Sequence, residues 1–248
     1  MKNYIVLLLL CLILGNTFAQ DSTRQSVYKF RLGVDIPIGL LTAGTGIGAL
    51  IKYKKNKPLT LADVSNLKPT DVNKFDRYAV YQHSRAAAIT SDVFQYTAAI
   101  SPAFLFIDKN IRKDWKTIVP IWMETFALTS TLTMFTKEMV RRKRPYVYSE
   151  NFNGNKLSKS AAASFFSGHT SITTASTYFI AMVYADYHPT SKWKPLVWTG
   201  AAVFPALTGL LRVKAGKHYW TDVIVGYTVG ALVGSLTPFL HRRDFRKK

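Results

Sequence analysis

Cysteine and acidic residues are both scarce in this 248-residue sequence. The single cysteine, Cys11, excludes an intramolecular disulfide, and it lies in an N-terminal apolar run. Asp and Glu number 14 against 33 Lys and Arg, which gives a formal net charge of +19. Such a charge predicts anionic partners, namely nucleic acid, anionic lipid or phosphate. Charged residues are nevertheless only 19% of the chain and hydrophobic residues 48%, so long apolar segments dominate.

The N-terminus has the pattern of a bacterial signal peptide. Lys2 precedes an apolar run from Tyr4 to Leu14, and small residues at Thr17 and Ala19 flank a cleavage position before Gln20. We therefore predict a signal peptide over 1–19 and a single domain over 20–248, with an uncleaved anchor as the alternative. Cleavage would remove Cys11 and with it any thiol catalysis. Export to the cell envelope argues against a nucleic-acid partner and favours an anionic membrane surface.

Six apolar stretches follow this segment, and strand-like alternation is rare. They predict an all-α bundle of about six apolar helices, embedded in a membrane, with a water-soluble bundle as the alternative. The stretches are Gly33–Ile51, Ala86–Ile107, Thr117–Thr136, Thr170–Ala185, Pro195–Leu211 and Thr221–Leu240. The basic C-terminal segment from His241 to Lys248 favours a cytoplasmic C-terminus. If the signal peptide is cleaved, that orientation gives five membrane crossings, so the first stretch, Gly33–Ile51, would not span. It also places the basic and histidine-containing clusters described below on the periplasmic side.

The first candidate cluster runs from Lys137 to Pro145 and contains five Lys and Arg residues. If a helix continues through it, Lys137, Arg141 and Arg144 share one face at spacings i, i+4 and i+7. Pro145 would then end the helix directly after Arg144. The cluster predicts either a phosphate-binding face or a basic segment at the membrane edge.

Two further clusters contain histidine. Ser167, Gly168 and His169 precede an apolar helix, so Ser167 is a plausible N-cap and the first amides could bind an anion. His218 and Asp222 are four residues apart, as on one face of a helix. The carboxylate could therefore fix the imidazole tautomer and leave the second ring nitrogen as a nucleophile. Together with nearby cations, two histidines could perform phosphoryl transfer without a metal.

The order Lys-x6-Arg-Pro, Ser-Gly-His and Arg-x5-His-x3-Asp resembles the three-part signature of one family. It is that of the type-2 phosphatidic acid phosphatase and vanadium haloperoxidase superfamily, and the motif core covers residues 137–222. The resemblance implies that His218 is the nucleophile, Asp222 its orienting partner and His169 the general acid. It also implies a set of phosphate-binding residues: Lys137, Arg144, Ser167, Gly168 and Arg212.

The expected activity is metal-independent hydrolysis of phosphate esters through a phosphohistidine, with no cofactor and no metal ligands. Candidate substrates are lipid phosphates or diphosphates, at an inner-membrane site that faces the periplasm. A soluble periplasmic acid phosphatase that acts on small phosphate esters is the alternative, and a haloperoxidase or a lipid-binding protein is less favoured. Phe166 and Leu211 replace the usual Pro and Ser of the family, which leaves the substrate open.

The remaining histidines and two acidic residues within apolar stretches have no partners at an informative spacing. We interpret His83, His188 and His241 as structural or surface residues. Asp92 and Glu124 are interpreted as buried polar contacts or helix-end groups rather than catalysts.

Overall fold

The computed structural model describes residues 26–150, 152 and 154–244. The predicted signal peptide over 1–19, Cys11 and the last basic residues of the chain lie outside the described residues. Across the described ranges the secondary structure is helical, and the only strand-like feature there is an isolated antiparallel bridge between Tyr28 and Arg242. The prediction of an all-α fold is confirmed.

In the part of the chain that the structure describes, six long helices form the bundle, and each contains one predicted apolar stretch or most of it. They are α1 Leu32–Lys55, α2 Arg85–Ile100, α3 Trp115–Val140, α4 Gly168–Tyr187, α5 Lys194–Lys214 and α6 Trp220–His241. Short α-helices lie between them at Leu61–Val64, Lys74–Arg77 and Lys109–Lys113. The 3-10 turns are Pro69–Asp71, Tyr78–Tyr81, Ser101–Ile107, Pro145–Tyr148 and Lys159–Ala162. The second apolar stretch leaves the α conformation at Ser101, where Pro102 lacks the N–H that an α-helix would use.

Within the described ranges, four segments are long and apolar enough to cross a membrane, namely those that contain α1, α3, α5 and α6. The stretch Gly33–Ile51, which we expected not to span, forms most of the 24-residue helix α1 and is long and apolar enough to do so. Asp35 does not interrupt the helix because it lies in the first turn, where the positive end of the helix dipole stabilises an acidic side chain.

The distribution of side chains is that of a bundle with an apolar exterior. Large apolar residues of the long helices face outward, and Leu40 on α1 is 69% exposed. In contrast, the hydroxyl groups of Thr125, Thr129 and Thr133 on α3 are buried, and each donates to the carbonyl four residues earlier. A bilayer favours this arrangement, because polar groups must be satisfied within the protein while apolar ones can contact lipid.

Helix α6 packs closely on α4 through glycines at every fourth position. A Cβ on Gly230 would lie 2.3 Å from the carbonyl oxygen of Ser171, and one on Gly226 would lie 2.6 Å from that of Ser167. The backbones can therefore approach only because these positions lack side chains. The contact brings the start of α4 beside the start of α6, where the Ser167 amide donates to the Asp222 carbonyl at 3.0 Å.

Consecutive long helices alternate in direction, so the bundle has two ends. At one end, the Asn56 side chain after α1 bonds Glu138 of α3, and the Ser84 amide before α2 bonds the Lys214 carbonyl of α5. At the opposite end, the Lys29 amide bonds the His241 carbonyl, beside the bridge between Tyr28 and Arg242. Both ends of the described chain therefore lie opposite the end where α4 and α6 begin.

Candidate active site

The three sequence clusters meet at the end of the bundle where α4 and α6 begin, but the first is not helical throughout. Helix α3 ends at Val140 because Arg141 adopts a left-handed conformation with φ of 54°. Arg144 follows in extended backbone and its amide bonds the Ala161 carbonyl. The expectation that Lys137, Arg141 and Arg144 share one helical face is therefore wrong. Lys137 reaches the site from α3, and Arg144 reaches it from the loop.

His218 is fully buried, and its two ring nitrogens differ in their surroundings. Nδ1 lies 3.4 Å from Oδ2 of Asp222, whereas Nε2 has no hydrogen-bond partner among the described residues. His218 precedes α6 rather than belonging to it, so the pair does not share a helical face as the spacing predicted. Instead Asp222, in the first turn of α6, accepts from the Tyr219 amide at 3.0 Å and so turns back towards His218.

The Asp222 carboxylate is held by donors that sequence reasoning missed. Its Oδ2 accepts from the Ser164 hydroxyl at 2.5 Å, and its Oδ1 accepts from the Arg142 guanidinium at 2.6 Å. Asp222 has no exposed side-chain surface, so these donors replace the water that would otherwise solvate its charge. The carboxylate orientation is thus fixed by donors other than His218.

Arg142 also connects Asp222 to a second buried carboxylate, Asp76. Its Nη2 lies 2.8 Å from Oδ2 of Asp76, while Nη1 donates to the hydroxyl of Thr221 at 2.7 Å. Burial alone would raise the pKa of Asp76, but the hydrogen bonds from Thr221 and Arg142 hold that pKa below its ordinary value. The result is an ionised network that joins the short helix Lys74–Arg77 to the start of α6.

Three cationic side chains lie near enough to His218 to affect its protonation. Burial, then the charges of Arg144, Lys137 and Arg212, place the pKa of His218 well below its ordinary value. The imidazole is therefore neutral near pH 7, as a nucleophile requires. Arg144 is fixed by the carbonyl oxygens of Ser160 at 2.9 Å and Lys217 at 3.0 Å.

Arg212 and His169 share the carboxylate of Asp92, for which the sequence indicated only a buried polar contact or a helix-end group. Oδ1 of Asp92, on α2, lies 2.9 Å from the Arg212 guanidinium and 2.6 Å from Nε2 of His169. Asp92 therefore belongs to the site, and its position inside an apolar stretch was the available signal. Arg212 is 5% exposed, and its buried Nε has no hydrogen-bond partner among the described residues.

Ser167 and Gly168 form the start of α4 beside Lys137. The Ser167 hydroxyl caps the helix by accepting from the Thr170 amide at 3.4 Å, as predicted. The Ser167 amide donates to the Asp222 carbonyl, so it is not available to a phosphate, contrary to its expected role. The amides of Gly168 and His169 remain at the helix start, where amides lack intrahelical partners. A Cβ on Gly168 would lie 3.6 Å from Nζ of Lys137, so the ammonium is directly beside the start of α4.

The other histidines each have a partner that their sequence spacing did not reveal. His83 lies 2.8 Å from the Ser149 hydroxyl, and His188 lies 3.1 Å from Asp108. His241 contacts Asp35 and Glu124 at the opposite end of the bundle.

Comparison with known proteins gives one family match. A family model described as the PAP2 superfamily matches residues 119–246, just over half of the chain. These residues include all three motif clusters described above.

Curated relatives match about half of the chain. Phospholipid phosphatase 2 of Rattus norvegicus is 32% identical over 133 residues, which cover 45% of this chain and 48% of the relative. Phosphatidylglycerophosphatase B of Bacillus subtilis (strain 168) is 31% identical over 124 residues, which cover 49% and 56%. The chain thus spans about half the length of the curated relatives it matches. A crystal structure of a transmembrane PAP2-type phosphatidylglycerolphosphate phosphatase from Bacillus subtilis covers 83% of this chain and 92% of its own, with 21% identity and a TM-score of 0.48.

Proposed function

Since this chain belongs to the PAP2 superfamily, we propose that it is a phosphatase that hydrolyses lipid phosphates or diphosphates through a phosphohistidine on His218. The observation that carries the proposal is a pair of buried atoms that find no hydrogen-bond partner in the described part of the chain, Nε2 of His218 and Nε of Arg212. Buried polar atoms are nearly always hydrogen-bonded, so two of them in one cationic site indicate that a ligand completes it. A phosphoryl group supplies the matching chemistry, because its oxygens accept from Arg and its phosphorus accepts a nucleophile.

In the first step, Nε2 of His218 attacks phosphorus and the bond from phosphorus to the leaving oxygen breaks. Lys137, Arg144 and Arg212, with the Gly168 and His169 amides, would stabilise the charge on the equatorial oxygens. Asp222 accepts a hydrogen bond from the Nδ1–H of His218, and its negative charge stabilises the positive charge that develops on the ring.

His169 transfers one proton in each of the two steps. It donates this proton to the leaving oxygen as the first bond breaks, and a water molecule replaces the departed alcohol. His169 then takes a proton from that water as the water oxygen attacks the phosphohistidine. Inorganic phosphate leaves, and His218 returns to the neutral imidazole. Asp92, bonded to His169 and Arg212, would position the acid beside a phosphate-binding cation.

The substrate class follows from the surroundings of the site. The cations and helix-start amides lie at one end of a bundle whose exterior is apolar, so a phosphate on a lipid headgroup could reach them from a bilayer. The exposed apolar residues on α1, α5 and α6 favour a membrane-embedded enzyme over a soluble acid phosphatase.

We also propose that the active-site end faces the periplasm from the inner membrane. Because α1 is long enough to span, this orientation puts Tyr28 and Arg242 together on the cytoplasmic side. It therefore requires the segment before residue 26 to be retained on that side rather than cleaved in the periplasm. A test uses single cysteines in a Cys11→Ser background, at exposed Ser65 for the active-site end and exposed Lys192 for the opposite end.

An impermeant thiol reagent added to intact spheroplasts should label the cysteine at position 65 and not that at position 192. Labelling of position 192 alone would reverse the orientation. Labelling of both positions in a protein released by osmotic shock would instead support a soluble periplasmic enzyme.

The mechanism is tested by acid and base quenching of turnover with radiolabelled lipid phosphate. We expect an acid-labile, base-stable label on the wild-type protein and none on His218→Ala, whose turnover should fall by roughly a millionfold or to background. His169→Ala should retain more activity on aryl phosphates than on alkyl phosphates, because a good leaving group needs less protonation. A label that persists in His218→Ala would disprove the assignment of the nucleophile.

A further inference from the structure

Three ionisable side chains from three helices meet at the end of the bundle opposite the active site. Asp35 is in the first turn of α1, Glu124 is on α3 and His241 is the last residue of α6. Nε2 of His241 lies 2.8 Å from Asp35 and 3.5 Å from Glu124. Nearly the whole length of α6, about 28 Å at the helical rise per residue, separates His241 from Asp222. The cluster is therefore distinct from the phosphate site.

The tautomer of His241 is fixed by the backbone. Its Nδ1 lies 2.7 Å from the Thr237 carbonyl oxygen, which can only accept, so Nδ1 carries a proton. In a neutral imidazole, Nε2 then has a lone pair, and it points between two carboxylates. His241 is fully buried, so water does not contact this nitrogen. Histidines that bind metals commonly have this arrangement, with the other ring nitrogen donating to a backbone carbonyl.

The two carboxylates need a positive partner. The Asp35 and Glu124 side chains are 28% and 18% exposed, so both charges are largely removed from water. The Arg31 amide donates to Oδ2 of Asp35 at 2.6 Å, whereas the Oδ1 atom faces His241. One nitrogen and two carboxylate oxygens, each within 4.8 Å of the others, could surround a single ion.

We propose that Asp35, Glu124 and His241 bind one divalent transition-metal ion with the preferences of Zn²⁺. Imidazole nitrogen and carboxylate oxygen are ordinary Zn²⁺ ligands, and three protein ligands leave one position for water. The ion would join α1 and α3 to the last turn of α6, which stabilises the end of the bundle remote from catalysis. This inference does not depend on the proposed phosphatase function.

The test measures Zn²⁺ bound to the purified full-length protein in detergent, after removal of metals by a chelator. We expect one equivalent of Zn²⁺ per chain and a melting temperature higher by roughly 5–10 °C at a hundredfold excess over Kd. Glu124→Gln, which keeps the size of the side chain, should lose both effects. His241→Gln should also lose both effects. If His241→Gln does not fold, the Zn²⁺ binding of Glu124→Gln alone tests the proposal.

His188→Gln is the matched control, because His188 also contacts a carboxylate, Asp108, but only one. It should bind Zn²⁺ as the wild type does. Wild-type protein that binds no Zn²⁺, or binds it equally after Glu124→Gln, would overturn the proposal. An imidazolium between two carboxylates would then account for the cluster. Metal content and melting temperature are the readouts, so loss of catalysis does not affect the result.

Discussion

Arg142 provides a sharp test of how the site is held together. The Arg142→Gln substitution removes the guanidinium that bridges Asp222 and Asp76, at 2.6 Å and 2.8 Å. Neither carboxylate side chain is exposed, so each would be left buried without its counter-charge. Breaking such a pair costs about 3–5 kcal/mol. We expect the lower value, about 3 kcal/mol, because Arg142 is 25% exposed and Ser164 and Thr221 still donate.

Activity should fall as well, because Asp222 loses one of the donors that fix it opposite His218. Removing a group that orients a functional ligand typically costs 10–100-fold, so we expect kcat to fall by about that factor. Arg142→Lys should recover only part of the loss, since one ammonium cannot bridge both carboxylates as a guanidinium does. The assays are phosphate release from a micellar lipid phosphate and thermal unfolding in the same detergent.

The neighbouring Arg141 supplies the control. Its guanidinium donates at 2.6 Å to the Lys57 carbonyl, an exposed contact, so Arg141→Gln changes the same kind of residue at the adjacent position. This variant should unfold within about 0.5 kcal/mol of the wild type and keep its kcat. Equal activity of the Arg141 and Arg142 variants would refute the role given to the Asp76–Arg142–Asp222 network.

Three other results are expected. The acid limb of the pH profile of kcat/KM should reflect protonation of His218, and it should lie below pH 6.5 because burial and nearby cations lower the pKa of His218. Lys137→Met removes one of these cations, so it should move the limb to higher pH. Gly230→Ala should destabilise by about 1–3 kcal/mol in thermal unfolding, whereas Gly200→Ala, with nothing within 4 Å of a Cβ, should be neutral or stabilising. Asp92→Asn should slow alkyl phosphates about tenfold more than aryl phosphates, because it perturbs the acid His169; an equal effect on both would contradict this role.

The sequence predicted the six helices well because an apolar stretch of about 20 residues has few alternatives to a helix. The motif spacings also identified which residues meet at one end of the bundle. The local geometry was less predictable. Arg141 takes a left-handed conformation without being Gly or Asn, so nothing in its identity marked the end of α3.

The supporting residues of the site were missed for a different reason. Arg142 and Asp76 are 66 positions apart, and Asp92 and His169 are 77 apart. Spacing arguments apply only within a turn or two of helix, so they could not pair these residues. Asp92 could have been found as an acidic residue in an apolar helix that needs a partner. Arg142 had no such signal, because it stands among four other cations in its segment.

The bridge between Tyr28 and Arg242 makes the described chain nearly circular, since its two ends are adjacent. A short linker between them would need no long path around the bundle, and new ends could be opened at exposed Lys192, in the turn between α4 and α5. That turn lies at the same end of the bundle as the bridge. Such a circular permutant would keep each helix in its original direction and leave the opposite end, with His218, uncut.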